Sequence, residues 1–397
     1  MFQDKTVLLG VTGSIAAYKI ANLCSMLKKK HCDVHVIMTK NAMNFITPTT
    51  FETLTGNKCL VDTFDRDFSF DVKHISLAKR ADAVLIAPAS ANIIAKLCSG
   101  MADDMLTTTV LSCTCKKLVS PAMNTNMYQN PIVQDNLKKL KAFGFEIITP
   151  QTGRLACGDI GEGKMPEPET LFSYLEKEIV YQKDLKGIRL LVTAGPTREP
   201  IDPVRYLTNH SSGKMGYAIA KAAMVRGANV TLITGETSLC PPMFVKTIKV
   251  TTANEMFEAV KERFPSQDVI IKAAAVGDYT PKIVQTEKIK KIEEQFHLEL
   301  VKTQDILHYL GKNKTKKQFL CGFSMETEHL IENSKKKLLK KNADMIVANN
   351  LKTEGAGFQN DTNVITVITA EKEIAFPKMS KQAVAHKLLD EIIKTIR

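Results

Sequence analysis

Tryptophan is absent from this sequence of 397 residues, and its nine cysteines include no Cys-x-x-Cys pair. The odd count leaves at least one thiol outside any set of disulfides, and the histidines do not cluster near the cysteines. Disulfide scaffolds and structural zinc sites depend on paired or clustered cysteines. The pattern therefore argues against both classes and predicts a protein of the reducing cytoplasm.

Long apolar runs are also absent. No stretch reaches the roughly 18 apolar residues that a membrane-spanning helix requires. The start, MFQDKTVLLGVTGSIAAYK, has some features of a signal peptide, but Asp4 flanks its apolar run and Gly10, Thr12 and Ser14 dilute it. A strand followed by a turn explains this start better, and we expect no membrane partner.

Acidic residues are outnumbered mainly in the second half of the chain. Residues 1–185 carry 21 Lys+Arg against 19 Asp+Glu, whereas residues 186–397 carry 33 against 23. A basic half attracts anions, either nucleic acid or phosphorylated small molecules. Because no RGG tract, RNP signature or zinc finger accompanies the charge, we expect small anionic ligands and no nucleic acid.

Strand and helix patterns alternate through both halves, and the length predicts more than one domain. In the first half, short apolar runs indicate strands at 6–12, 33–39, 81–90, 116–124 and 145–150, and apolar spacing indicates helices at 15–29 and 171–182. After a linker-like segment at 183–187, strands are indicated at 188–195, 228–235, 268–279 and 343–350, a hairpin at 363–377, and helices at 213–227 and 380–396. The prediction is an α/β protein with two doubly wound parallel-sheet domains, residues 1–185 and 186–397.

Ligands of open parallel sheets bind at the carboxyl ends of the strands. In the first half, Gly13 and Ser14 follow the first strand and precede a helix, whose free N–H groups favour an anion such as phosphate. For GSIAAYK taken alone, a tight turn with an N-cap serine is the favoured explanation, because short Gly/Ser turns are common. A second unusual segment is LACGDIGEGKMPEP (155–168), where Cys157 lies on a glycine-rich stretch that suits neither a helix nor a strand.

Four segments of the first half, taken together, are more specific. GVTGSIAAYK, KHISLAKRADAVLIAPASANIIAKLCSGMADDML, PAMNTNMY and ACGDIGEGKMPEP occur in this order. They resemble the flavin-dependent cysteine decarboxylases, and most closely the decarboxylase half of the bifunctional phosphopantothenoylcysteine decarboxylase/phosphopantothenate–cysteine ligase family. The resemblance implies an FMN site that includes Gly13, Ser14, Thr39, Ser90, Asn92, Asp103 and Asp104.

The resemblance also implies three catalytic residues. His74, on what looks like a loop, accepts a proton while the substrate thiol is oxidised to a thioaldehyde, which supplies the electron sink for loss of CO₂. Asn124 orients the substrate carboxylate without neutralising it, as an arginine would. Cys157, on a lid formed by loop 153–163, donates the final proton to carbon. Tyr128 and Lys164 stand where the family has Trp and often Arg.

The second half contains a long loop, VTAGPTREPIDPVRYLTNHSSGKMG (192–216). It is not a Walker A loop, since Met215 follows Gly213-Lys214, and it is not a clean Gly-x-Gly-x-x-Gly motif. SSGKMG before a helix still suits a phosphate. A proline-rich connection does not account for the gathering of Arg198, Arg205, Asn209 and His210.

This loop and the segments AAAVGDYTP, EKIKK, KTQDIL, GFSMET and KKLLKKNADMIVAN resemble the ligase half of the same family. The resemblance implies that Asn209, one helical turn after Arg205, contacts an acyl-cytidylate. It places CTP at Lys272, Ala273, Ala274, Asp278, Lys288, Gln304, Asp305, Ile306, Leu307, Phe323, Lys337 and Lys341. Lys337 and Lys341 share a helix face, which suits a triphosphate, although a lysine run alone favours a solvated face. Gly277 and Gln304 depart from the commoner Ala and Pro.

The resemblance as a whole implies a cytoplasmic enzyme of coenzyme A biosynthesis. Its substrates would be 4′-phosphopantothenate, L-cysteine and CTP with Mg²⁺ as the counter-ion, its cofactor FMN, and its assembly a homo-oligomer of decarboxylase trimers and ligase dimers, up to a dodecamer. Metal ligands are not indicated. The alternatives are a nicotinamide-dependent oxidoreductase, a basic nucleic-acid-binding protein, and a decarboxylase with an inactive ligase domain.

Overall fold

The computed structural model describes residues 2–63, 73–156, 158–290, 297–326, 328–350 and 360–396. The chain divides into two compact units, Met1–Tyr181 and Gln182–Arg397. Cys157, predicted from the sequence to be catalytic, lies outside the described residues.

The first unit is built on a parallel sheet with the strand order β2-β1-β3-β4-β5. Its strands are β1 Thr6–Val11, β2 Asp33–Met38, β3 Ala83–Ala89, β4 Lys116–Pro121 and β5 Glu146–Ile147, followed by the antiparallel pair β6 Gln151–Arg154 and β7 Ile160–Lys164. Its helices are α1 Tyr18–Lys28, α2 Pro48–Thr55, α3 Lys73–Arg80, α4 Ala91–Ser99, α5 Met105–Ser112, α6 Thr125–Gln129, α7 Pro131–Ala142 and α8 Pro168–Leu175, with short 3₁₀ or π turns at Ile15–Ala17, Lys40–Asn44 and Glu176–Val180.

Helices cover both faces of this sheet. Alternate residues of β1 enter different apolar clusters: Leu9 packs on the side of α1, α2 and α8, while Leu8 packs on the side of α4, α5 and α7. Gly10 allows α5 to approach closely, because a Cβ there would lie 2.6 Å from Leu106 Cδ1. Burial on both faces explains why these strands read as continuous apolar runs.

Two local predictions in this unit are wrong. His74 is the second residue of helix α3 and does not lie on a loop. Segment 153–163 is mostly the β6–β7 hairpin and not a loop, and two of its glycines serve close packing: a Cβ on Gly163 would lie 2.2 Å from the Met123 carbonyl oxygen, and one on Gly161 would lie 2.3 Å from Thr125 Oγ1. The hairpin therefore rests directly on the loop that carries Asn124.

The second unit contains a larger sheet with the strand order β12-β11-β8-β13-β16-β17-β18-β19. Its strands are β8 Arg189–Ala194, β9 Arg198–Pro200, β10 Tyr206–Thr208, β11 Asn229–Thr234, β12 Lys246–Lys249, β13 Val269–Lys272, β14 Tyr279–Pro281, β15 Leu300–Lys302, β16 Phe319–Glu326, β17 Met345–Asn350, β18 Thr362–Ile368 and β19 Glu373–Ser380. Its helices are α9 Lys214–Val225, α10 Ala253–Arg263, α11 Ile306–Asn313, α12 Leu330–Lys340 and α13 Lys381–Ile396, with a 3₁₀ turn at Phe264–Ser266.

The sheet is parallel from β12 to β17, and the predicted hairpin adds β18 and β19 as antiparallel strands. Two α/β units with parallel sheets confirm the predicted fold class. The pairs β9–β10 and β14–β15 lie apart from the main sheet. Because β10 is extended, Arg205 is not one helical turn before Asn209, and that expectation is wrong.

The linker-like segment 183–187 is packed as part of the second unit. Leu185 is fully buried. Lys183 Nζ donates to the Val225 carbonyl at 2.7 Å, and Asp184 pairs with Arg226 at 2.6 Å. These contacts attach the segment to the end of α9, so it does not behave as a free spacer.

Candidate functional site

The carboxyl ends of β1 and β3 are joined by one hydroxyl. Thr12 Oγ1 donates to the Pro88 carbonyl at 2.7 Å and accepts from the Ser90 N–H at 3.0 Å. The Ser90 hydroxyl in turn accepts from Ile93 N at 3.4 Å and caps α4, on which Asn92 is exposed. This edge is therefore rigid, and the Ser90 side chain already has a structural partner.

Ser14 and Thr39 stand at the neighbouring strand ends. Ser14 Oγ accepts from Ala16 N at 3.4 Å and starts the turn before α1. Gly13 has no room for a side chain, because a Cβ would lie 2.9 Å from Asn41 Cβ. Thr39 Oγ1 is buried and has no hydrogen-bond partner within the described structure. A buried hydroxyl without a partner is unfavourable in a bare protein, so this atom fits a polar ligand group.

The acidic residues predicted for the flavin site have other partners. Asp103 pairs with Lys96 at 2.8 Å. Asp104 Oδ1 accepts from Thr107 N at 2.8 Å, and the two residues form a capping box at the start of α5. These contacts fix the helix start, and a binding role for either carboxylate stays a prediction.

A cavity of about 610 Å³ lies beneath the β6–β7 hairpin. Its lining includes Ser14, Lys19, Asn124, Arg154 and Lys164. The buried Lys19 Nζ donates to Glu167 Oε1 at 2.8 Å and to the Met165 carbonyl at 3.3 Å. The cavity therefore combines a strand-end turn, an amide and three cations, which suits an anionic ligand.

Asn124 lines the cavity beneath the hairpin, and two hydrogen bonds fix its side chain. Its Oδ1 accepts from Asn126 N at 2.8 Å and caps α6, while its Nδ2 donates to Asp159 Oδ2 at 3.3 Å. The amide N–H group thus faces a carboxylate. This orientation suits the predicted contact with a substrate carboxylate. His74 is half-buried in α3 and is not among the residues lining this cavity.

In the second unit, a cavity of about 380 Å³ gathers most of the predicted nucleotide residues. Nine of the twelve line it: Lys272, Asp278, Gln304, Asp305, Ile306, Leu307, Phe323, Lys337 and Lys341. Ala273 and Ala274 follow Lys272 at the end of β13, and Lys288 is exposed outside the lining.

Four lysines line this cavity: Lys272, Lys302, Lys337 and Lys341. Lys337 Nζ donates to the Phe323 carbonyl at 3.0 Å, and Lys341 pairs with Asp305, whose Oδ1 caps α11. Burial, and then the nearby Lys337, lower the pKa of Lys272 to about 8, against the opposing effect of Asp305 and Asp278. Four lysines against two aspartates, Asp278 and Asp305, leave the lining with an excess of positive charge that fits a polyphosphate.

The second unit contains another, larger cavity of about 660 Å³. Its lining includes Arg198, Asn209, His210, Ser211 and Ser212. Asn209 Nδ2 donates to the carbonyls of Ala275 and Val276, both at 3.2 Å. Val276 lines the smaller cavity, so the Asn209 amide connects a residue of the larger cavity's lining to one of the smaller cavity's lining.

Several lining residues were missed from the sequence. Lys19 and Arg154 belong to the first unit's cavity, and Glu236, Thr237 and Ser238 to the larger cavity of the second unit. The last three follow β11, so reading every strand end would have found them. Lys19 and Arg154 carried no comparable signal, because a helix lysine and a hairpin arginine are usually solvated.

The described residues offer neither a membrane-spanning helix nor a metal-binding cluster. None of their helices is both long and apolar enough to cross a membrane. No group of three or more His, Cys, Asp or Glu side chains among them is placed to hold a metal ion.

Two family models together match almost the whole chain. The model described as flavoprotein matches residues 1–180. The model described as DNA/pantothenate metabolism flavoprotein, C-terminal domain, matches residues 185–396. The class of protein is therefore an α/β flavoprotein joined to a domain of pantothenate metabolism.

Relatives of similar length narrow this class. The coenzyme A biosynthesis bifunctional protein CoaBC of Bacillus subtilis is 44% identical over 396 residues, which are 99% of this chain and 97% of that protein. The protein of the same name from Escherichia coli K12 is 41% identical over 392 residues, 98% and 97% of the two chains. A crystal structure of the C-terminal domain of a CoaBC protein is 44% identical, covers 54% of this chain and 98% of its own, and has a TM-score of 0.47.

The chain belongs to the family of coenzyme A biosynthesis bifunctional proteins. This confirms the resemblance to the bifunctional decarboxylase/ligase family that the sequence motifs indicated.

Proposed function

We propose that residues 186–397 ligate 4′-phosphopantothenate to L-cysteine with CTP, and that residues 1–185 decarboxylate the product with FMN. The observation that carries the ligase assignment is the position of the Asn209 amide, which lines the larger cavity and donates to Val276 of the smaller cavity's lining. A reaction that joins a carboxylate to a nucleotide needs two such compartments. The larger one has the room and the hydroxyl groups for the phosphorylated acid, and the smaller one has the lysines for the nucleotide.

The ligase reaction follows from this arrangement. The carboxylate of 4′-phosphopantothenate attacks the α-phosphorus of CTP, and pyrophosphate leaves. Lys272, Lys337 and Lys341 stabilise the negative charge on the phosphate oxygens, with Mg²⁺ as the counter-ion of the nucleotide. The amine of L-cysteine then attacks the acyl-cytidylate, forming the amide and releasing CMP. Asn209 holds the activated acid in place through its amide.

The remaining predicted nucleotide residues would shape the smaller cavity. Ile306 and Leu307 begin α11, and Asp305 caps its first turn. Backbone N–H groups at the start of a helix lack partners within the helix, so they can bind the nucleotide. Lys288 is proposed to reach the nucleotide from the segment that precedes residue 290. The roles of Gln304, Asp278, Phe323, Ala273 and Ala274 as CTP contacts rest on the same family motifs.

The residues of the first unit fit FMN and an anionic substrate. The partnerless hydroxyl of Thr39 and the turn at Gly13-Ser14 suit the phosphate, and Ser90 and Asn92 border the same strand edge. When bound, FMN supplies the hydride acceptor and donor that a cysteine carboxylate lacks. Asn124 orients the substrate carboxylate, His74 takes a proton from the substrate, and Cys157 returns one to carbon.

We propose further that the chain works as a cytoplasmic homo-oligomer of decarboxylase trimers and ligase dimers, up to a dodecamer. Large apolar side chains are exposed beside the first unit's cavity, where Ile15 is 55% and Tyr18 57% accessible. In the second unit, Ile283 is 66% accessible next to the β14–β15 pair. Surfaces of this kind favour association between copies.

Reconstitution tests the proposal. The purified chain is incubated with 4′-phosphopantothenate, L-cysteine, CTP and Mg²⁺, and the products are read by mass spectrometry. We expect 4′-phosphopantetheine, CMP and CO₂, with no amide when CTP is omitted. Amide formation with ATP and none with CTP would overturn the nucleotide assignment, and the intermediate 4′-phosphopantothenoylcysteine as the end product would overturn the FMN step.

A further inference from the structure

The turn between β9 and β10 encloses a buried carboxylate. The side chain of Asp202 has no solvent exposure. Its Oδ1 accepts from the backbone N–H groups of Val204 and Arg205, both at 2.8 Å. This half of the carboxylate shapes the turn itself.

The other carboxylate oxygen reaches beyond the turn. Asp202 Oδ2 accepts from Arg205 Nε at 2.9 Å and from Ile289 N at 3.2 Å, and it also contacts Arg205 Nη2. Arg205 Nη2 donates to the Ile289 carbonyl at 2.9 Å. Both polar backbone groups of Ile289 are therefore held by this one ion pair.

A further bond joins the same two segments. Gln285 N donates to the Ile201 carbonyl at 3.0 Å. The Arg205 guanidinium, together with backbone N–H groups, holds the pKa of the Asp202 carboxyl far below its usual range, so the pair is ionised at neutral pH. Ile289 is consequently tied to the turn by charge-assisted bonds, which are stronger than neutral ones, and Gln285 by a neutral backbone bond.

Asp202 and Arg205, through their bonds to the Ile289 backbone, form a clamp. Proposed functional residues lie close to both ends of this clamp in sequence. Asn209 follows β10, which starts at the residue after Arg205, and Lys288 directly precedes Ile289. Lys288 is exposed and is not among the residues that line the smaller cavity. The bonds of the clamp are made by the Ile289 backbone, at the residue that directly follows Lys288.

We propose that Asp202 is a positioning residue of the ligase: with Arg205 it fixes the backbone of Ile289 and thereby sets where Lys288 meets the nucleotide. The inference rests on the proposed role of Lys288 in CTP binding. Asp202 itself touches no substrate, and its effect passes through the neighbouring peptide group.

A double-mutant cycle tests this route. Asp202→Asn, Lys288→Gln and the double variant are assayed for pyrophosphate release with CTP varied, in the full-length enzyme. We expect each single change to raise the KM for CTP about tenfold with a smaller change in kcat, and the double variant to be no worse than Lys288→Gln alone. Non-additivity of this kind identifies residues that act together.

A matched control separates positioning from folding. Asp184→Asn removes a carboxylate partner from Arg226, in an ion pair of the same unit that lines neither cavity. It should lower Tm without changing the KM for CTP. If Asp202→Asn fails to fold, Arg205→Lys replaces it, because lysine keeps the charge but cannot hold both Asp202 and the Ile289 carbonyl.

Three results would overturn the inference. They are an unchanged KM in Asp202→Asn, additive effects in the double variant, and a Lys288→Gln variant with the wild-type KM. Each of these leaves CTP-dependent ligation by the wild-type enzyme intact, whereas failure of the proposed function would appear as loss of that wild-type reaction.

Discussion

The two units use their strand ends differently. In the second unit, nine predicted nucleotide residues line a single cavity, and their side chains or short loops open into it. In the first unit, Ser14 and Asn124 are the predicted site residues, among those that the structure describes, that line the cavity beneath the hairpin. Ser90, Asp104 and Asn124 also cap helices there. A polar residue at a strand end can thus serve the fold and the ligand at once, and a sequence motif does not separate the two uses.

The difference makes the first unit's site the harder one to define from its cavity alone. Thr39 offers a buried hydroxyl without a partner in the described structure, while His74 lies on α3, outside the cavity lining. In the second unit, the charges of Lys272, Lys337 and Lys341 converge on one volume. Substitutions in the first unit are therefore the strongest tests of whether its predicted residues form one site, as those of the second unit do around their cavity.

The largest effect is expected at His74. His74→Asn should lower the rate of CO₂ release by about 10²–10⁴-fold, the usual contribution of a general acid–base group. FMN content should stay normal, since the proposed FMN contacts lie on other loops. The measurement is CO₂ release from supplied 4′-phosphopantothenoylcysteine, with flavin absorbance of the same sample. A near wild-type rate would show that His74 has no catalytic role and that the site consists of the residues that line the cavity.

Cys157→Ser should cost about 10²-fold in formation of 4′-phosphopantetheine. A serine hydroxyl is far less acidic than a thiol, whose pKa is about 8.5 in model compounds. Oxidation and CO₂ loss require no acid at carbon, so one anaerobic turnover should release an ene-thiol that lacks two hydrogens. Mass spectrometry of that turnover decides the matter, because normal product at the normal rate would show that another group donates the proton.

Thr39→Val should weaken FMN binding about tenfold, since a hydrogen bond to a charged phosphate is lost. The thermal stability of the flavin-free protein should be unchanged or slightly higher, because valine removes a buried hydroxyl that has no partner there. Fluorescence titration with FMN and a thermal melt provide the two readouts. Thr47→Val, at an exposed hydroxyl that contacts Thr50, is the control. Equal FMN affinity in both variants would exclude Thr39 from the site.

The smallest effect concerns pH in the second unit. Lysine carries its charge below its pKa, and that of Lys272 is lowered to about 8 by burial and by Lys337. In the free enzyme, kcat/KM for CTP should be level below pH 8 and fall above it. Lys272→Met should remove this fall and lower the level part a few-fold. A wild-type profile that stays flat through pH 9 would show that the charge on Lys272 does not contribute to nucleotide binding.

Much of this fold is predictable from the sequence because both sheets are buried on two faces. The apolar runs at 6–12 and 188–195 correspond to β1 and β8, and the hairpin at 363–377 lies within β18 and β19. Strand β16 was seen only as a motif, since Gly322 and Ser324 interrupt its apolar pattern. The β6–β7 hairpin was missed because glycine has low strand propensity. Two of its glycines are required for close contact with the loop that carries Asn124.

The candidate sites were predictable where the motif residues point into a cavity. For Lys337 and Lys341, the i, i+4 spacing could not distinguish a solvated face from a binding face, and the structure places both at the smaller cavity. The Asp202–Arg205 clamp could not be predicted at all, because its partner Ile289 is 87 residues from Asp202 in sequence. Long-range backbone contacts of this type leave no local pattern.

The central claim is the division of labour between the two units, and Asn209→Asp tests it most directly. The carboxylate loses the amide donor to Ala275 and Val276 and adds a negative charge beside the phosphoanhydride. The same preparation is assayed for CTP-dependent amide formation and for CO₂ release from supplied 4′-phosphopantothenoylcysteine. The account predicts a loss of about 10²-fold in amide formation and a wild-type rate of decarboxylation. Loss of both activities together, in a variant with the wild-type Tm, would contradict it.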